Sequence, residues 1–176
     1  FFLLGPRGTG KTSWTRARFP GALRVDLLEP DVLREMAARP ERLRALVEGN
    51  RRTRIVVIDE VQKVPQLLDV VHALIERPRA PRFVLTGSSA RKLRRGGVDL
   101  LAGRAVMRSM HPFMAAELTS SSTASGAFSL GDALRLGMVP VVRAARAPAD
   151  VLRTYAGLYV REEVQAEALV KNIGAF

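Results

Sequence analysis

The octapeptide Gly5-Pro6-Arg7-Gly8-Thr9-Gly10-Lys11-Thr12 gathers the groups that can hold a phosphate chain. Its glycines let the backbone curl until successive N–H groups point inward, and the helix-compatible stretch that follows presents the positive end of its dipole to the same anion. Lys11 adds a mobile point charge for the β- and γ-phosphates. The Thr12 hydroxyl is placed to ligate magnesium, and Ser13 completes the residues expected around the nucleotide. A second chemical group follows at Asp59-Glu60, directly after the apolar, β-branched run Ile55-Val56-Val57-Ile58. A buried parallel strand reads this way, and open α/β sheets bind ligands at the carboxyl ends of their strands. Asp59 is therefore a candidate for the magnesium shell. Glu60 is the candidate to polarise an attacking water.

The elements that must position these groups follow from the pattern around them. Phe1-Phe2-Leu3-Leu4 feeds the glycine-rich turn, and Ala22 to Leu28 alternates well enough for a second strand. Pro30 and Asp31 open a helix toward Ala38, and Pro40 restarts one over Glu41 to Glu48. After the Ile55 strand, Pro65 opens a helix with apolar positions at Leu67, Leu68, Val71, Leu74 and Ile75. Arg82 to Thr86 reads as the next strand, closed by Gly87-Ser88-Ser89, and Ala105 to Met110 as a fifth. Strands separated by helices of this length imply a parallel three-layer α/β/α sandwich with a five-stranded sheet.

The composition changes at Thr119, where Ser and Thr dominate up to Gly126. The expected organisation is a core over 1–118, a polar linker over 119–128 and a helical, lid-like segment over 129–176. Helices are expected over Ser129 to Leu136 and Ala149 to Leu169. The chain opens on Phe1 within the first strand, so it reads as a fragment with a further C-terminal domain expected beyond it. There is no run of eighteen apolar residues and no signal-peptide pattern, so a cytoplasmic location is expected. With no cysteine in 176 residues, disulfides and thiolate metal sites are excluded.

The net charge of +11 raises the question of nucleic acid. Between Arg79 and Arg108 eight basic residues face the single acid Asp99, which makes this segment a candidate contact. The competing explanation is an arginine bias in composition, since lysine occurs only at 11, 63, 92 and 171. His72 and His111 have no companions spaced for a metal site. Trp14 is expected to pack the loop's helix on the sheet rather than to stack on a base.

The stretches GPRGTGKT, VVIDEVQKVP, FVLTGSSARKL and LLAGRA resemble, in that order, the blocks of prokaryotic AAA-type P-loop ATPases whose core is followed by a C-terminal domain of unknown function. The similarity spans residues 1 to about 118. It is weaker from Asp132 to Phe176, where LRLGMVP and LYVREEV look like the family's lid region and the entry to its C-terminal domain. The resemblance implies ATP as the nucleotide, with Mg2+, and hydrolysis as the activity. It also implies that the Thr86 strand lies between the P-loop strand and the Asp59 strand. Ser88 or Thr86 would then sense the γ-phosphate or orient water, unless Ser88 and Ser89 only cap a helix. Arg104 matches where related ATPases present an arginine finger to a neighbouring subunit, which would imply self-association; a plain surface arginine is the alternative. Arg91, Arg94, Arg95 and, in cis, Arg161 are further candidates for that role. Readings from other classes are a nucleotide-switched interaction module with little turnover, a small-molecule phosphotransferase and a nucleic-acid motor.

Overall fold

The apolar runs of the sequence become the strands of one sheet in the computed structural model, which describes residues 1–88, 101, 103–120 and 128–159. The chain forms β1 (Phe2–Leu4), α1 (Lys11–Arg18), β2 (Leu23–Asp26), α2 (Pro30–Ala38), α3 (Arg42–Gly49) and β3 (Ile55–Asp59). A 3-10 turn (Val61–Lys63), α4 (Leu67–Ile75), β4 (Arg82–Gly87) and β5 (Met107–Ser109) follow. Beyond these lie α5 (Ala115–Ser120), α6 (Leu130–Leu136), α7 (Pro140–Arg143) and α8 (Pro148–Tyr159).

The five strands are ordered β2-β3-β4-β1-β5, with every neighbouring pair parallel. The fold is the three-layer α/β/α class expected from the alternation of strands and helices. Thr86 does lie on the strand between β1 and β3. Position in the sheet explains composition. In the interior, β3 buries Val56 to Asp59 and β4 buries Phe83 to Gly87, so both read as continuous apolar runs. At one edge, all three residues of β5 are exposed. The core joins strand residues such as Phe2, Ile58 and Leu85 to Met36, Leu43, Leu67, Leu68 and Leu74 from the helices, all essentially inaccessible.

Two expectations shift in detail. The helix expected to open at Pro65 begins at Leu67, and the 3-10 turn comes before it. The cause is Glu60, which adopts a left-handed backbone (φ 58, ψ 45) and turns the chain sharply out of β3. α5 also runs into the stretch expected as a polar linker, of which 121–127 lie outside the described residues.

Contacts divide the chain into two units. One holds Phe1–Arg7 and Lys11–Met110, and the other holds Gly8–Gly10 and the chain from His111 onward. In the second unit, Ser129 Oγ accepts from the Asp132 N–H at 3.2 Å and caps α6. Pro140 starts α7, where a missing N–H costs no helical bond. The Val141 N–H donates to the Gly8 carbonyl at 3.2 Å, and Val142 is fully buried. No helix among the described residues is long and apolar enough to cross a membrane.

Candidate functional site

The carboxyl ends of β1, β3 and β4 bring the chemistry of the first unit together. β1 leaves the sheet at Gly5, whose N–H donates to the Gly87 carbonyl at 3.2 Å. A Cβ at Gly5 would lie 2.0 Å from the Met110 carbonyl oxygen, so only glycine lets the loop leave β1 this close to the chain after β5. Gly10 has φ +90, a conformation that side chains disfavour, immediately before α1 begins at Lys11.

Lys11 is 5% exposed, and its Nζ donates to the carbonyls of Gly5 at 2.7 Å and Pro6 at 2.9 Å. The ammonium is thereby held inside the turn of its own loop. Thr15, one helical turn on, is fully buried, so the inward face of α1 is set by Lys11 and Thr15. That placement corrects the expectation for Trp14. The indole falls off this face, is 40% exposed, and meets Phe19 edge-on at a centroid distance of 5.8 Å. Ser13 and Arg7 are exposed, whereas Thr9 is buried.

Thr12 and Asp59 meet directly: the Thr12 hydroxyl donates to Asp59 Oδ2 at 2.6 Å. Asp59 is 4% exposed, and its other oxygen, Oδ1, accepts from the Thr86 hydroxyl. Thr86 is fully buried, and its Oγ1 also accepts from the Glu60 N–H at 3.1 Å. One hydroxyl on β4 thus fixes the Asp59 carboxylate and the backbone of Glu60 together. The two magnesium candidates are adjacent oxygen donors. One carboxylate and one hydroxyl form a set that suits a small, hard cation completing its shell with phosphate oxygens and water.

The Glu60 side chain is half-buried, and its Oε2 accepts from Gln62 Nε2. The same Nε2 lies 3.4 Å from Ser88 Oγ. Ser88 therefore belongs to this cluster through Gln62, whereas the Thr86 hydroxyl is committed to Asp59 and Glu60. Sequence reasoning gave Gln62 no task. The available signal was an amide two residues after the acidic pair.

Arg104 lies elsewhere in the first unit, just before β5 and so at the amino ends of the strands. Its Nε donates to Glu76 Oε1 at 2.5 Å, and His72 Nε2 lies 3.8 Å from the same carboxylate oxygen. Arg79, Arg82 and Arg108 are exposed, while Arg91, Lys92, Arg94, Arg95 and Arg161 lie outside the described residues. No cluster of three or more His, Cys, Asp or Glu residues that could hold a metal occurs among the described residues.

Comparison with known proteins gives three findings. A family model described as AAA domain matches residues 1–119. No curated protein matches. Among solved structures, the Walker-type ATPase PABY2304 of Pyrococcus abyssi is similar with a TM-score of 0.58 and 17% identity, over 96% of this chain and 71% of that one. At that identity the likeness is one of fold.

Proposed function

The chain belongs to the AAA domain family, and from that premise we propose that it binds ATP with magnesium at Gly5 to Ser13 and hydrolyses it to ADP and phosphate. The observation that carries this reading is the 2.6 Å bond between Thr12 and Asp59. It joins the hydroxyl at the start of α1 to the strand carboxylate, beside a buried ammonium that donates to the carbonyls of Gly5 and Pro6. Magnesium, when bound, would supply charge neutralisation on the β- and γ-phosphates, held by Thr12 and Asp59. Lys11 would exchange carbonyl partners for phosphate oxygens, gaining a charge-assisted bond. Glu60 would take a proton from the attacking water at its carboxylate, and Ser88 would stand beside it at the end of β4.

Arg104 in this reading serves a neighbouring copy, because its own site lies at the opposite ends of the strands. Coupling of hydrolysis to a conformational or assembly change is the purpose that the family premise supports.

Two substitutions test the reading. Lys11→Ala should weaken Mg-ATP binding by roughly a hundredfold, the size of a lost charge-assisted contact of about 3 kcal/mol. Calorimetry showing unchanged affinity would remove the nucleotide assignment. Glu60→Gln should keep that affinity and slow turnover by about 10²–10⁴-fold, the contribution of a positioned base. A Gln variant as fast as the parent would show that Glu60 is not the base.

A further inference from the structure

Gln62 is the polar side chain of the site that this reading leaves without a task. It lies in the 3-10 turn after Glu60, and its two amide atoms are treated very differently. Nε2–H donates to Glu60 Oε2 and lies 3.4 Å from Ser88 Oγ. Oε1 is buried without a hydrogen-bond partner among the described residues. It also rests against Gly87, where a Cβ would stand 2.5 Å from it.

An unsatisfied buried acceptor is unfavourable, so something else must fix the amide in this orientation. Turning it over would set Oε1 against a Glu60 carboxylate oxygen, acceptor against acceptor, and lose the donor that Glu60 now has. Glu60 therefore dictates how Gln62 lies. The backbone of Glu60 is also held in a conformation that non-glycine residues adopt at a cost, and its N–H is fixed on Thr86. Both ends of Glu60 are thus referred to the same strand. The main chain is tied to Thr86, and the carboxylate is tied through Gln62 to the surface of Gly87 and toward Ser88.

We propose that Gln62 is a positioning residue that aims the Glu60 carboxylate, and that Gly87 lacks a side chain because Gln62 occupies its space. This inference rests on the hydrolytic reading above. It requires that Gln62 act through Glu60 and not on nucleotide affinity.

The test measures Mg-ATP turnover and Mg-ATP binding on the whole chain for the parent, Glu60→Gln, Gln62→Leu and the double variant. Gln62→Leu should lower kcat by about tenfold while the Kd stays within about twofold, because only a transition-state contact is lost. In the Glu60→Gln background the same change should have no further effect, since the two residues act as one unit. Gln62→Asn retains the amide on a shorter stem and should fall between parent and Leu variant; it carries the test if the Leu variant does not fold. Equal losses of affinity and rate, or losses that add to those of Glu60→Gln, would overturn the proposal in favour of a general packing role. A slow Glu60→Gln beside a Gln62→Leu at the parent rate would overturn this inference alone. Parent and Glu60→Gln turning over alike would overturn the hydrolytic reading, and this one with it.

Discussion

The two ends of the sheet in the first unit are built from different chemistry. At the carboxyl ends, Lys11, Asp59 and Thr86 are buried polar side chains; Asp59 and Thr86 bond each other, Thr12 and the Glu60 backbone, and Lys11 bonds the carbonyls of Gly5 and Pro6. At the amino ends, Phe1, Ile55, Phe83 and Leu101 line an apolar cleft of about 440 Å³, edged by Arg82 and Arg104. The charges nearby are paired at the surface, as in Arg104 with Glu76 and Arg77 with Glu48. Buried polar groups are costly unless satisfied, whereas exposed ion pairs contribute little. The comparison teaches that one end holds its polar groups at high energetic stake, and that substitutions there should be felt far more than equal changes at the other.

The largest expected effect follows from the Gly5 exit. Gly5→Ala drives a methyl group into the Met110 carbonyl and should destabilise the chain by about 3 kcal/mol, at the upper part of the overpacking range. Chemical denaturation measures it, and a change below about 1 kcal/mol would mean that the two backbones separate easily. Next comes Thr86→Val, which keeps the shape but leaves Asp59 Oδ1 and the Glu60 N–H without their hydroxyl. The expected loss is about 2 kcal/mol, seen as a melting temperature lower by roughly 4–8 °C, with turnover reduced as well. An unchanged melting temperature would erase the contrast between the ends.

At the amino ends the effects should be small. Glu76→Gln removes the Arg104 pair and should alter stability by less than about 1 kcal/mol, with nucleotide binding untouched. A larger loss would mean that Arg104 is structurally required there. Smallest of all is the acid dependence of the Glu48 pair. The hydrogen bond from Arg77 holds the Glu48 carboxyl below its ordinary range, so its stabilising contribution is present above that range and fades as pH falls through the lowered value. Both partners are exposed, so Arg77→Gln should shift the acid unfolding curve only slightly upward in pH.

Much of the carboxyl end was legible in the sequence because its parts are contiguous. Lys11 and Thr12 share the first turn of α1, directly after the glycine-rich turn, and Asp59 and Glu60 follow one apolar run, so local spacing carries the information. Sheet order was not legible from periodicity, since a parallel strand has the same apolar pattern whichever neighbour it takes; the family resemblance supplied only the place of β4 between β1 and β3. Gln62, and the bonds that Thr86 makes to Asp59 and Glu60, escaped for another reason, although the resemblance marks Thr86 itself as a candidate. Their tasks are to touch residues on a different strand, and nothing in their immediate sequence shows which oxygen ends up unpaired or shared. The left-handed turn at Glu60 was equally hidden, because a glutamate gives no warning of a positive φ. Trp14 departs from its expected packing because Lys11 and Thr15 set the inward face of α1.

Arg24 draws a mechanical consequence from these contacts. Its guanidinium donates to the Thr15 carbonyl at 2.7 Å and to the Phe19 carbonyl at 3.2 Å, closing the far end of α1 onto β2. Asp26 of the same strand stands opposite Asp59 in the sheet. The helix is therefore a short beam seated on two supports, one at Thr12 and one at Arg24, and both supports are braced by adjoining strands. A helix held this way at both ends resists tilting on the strands beneath it.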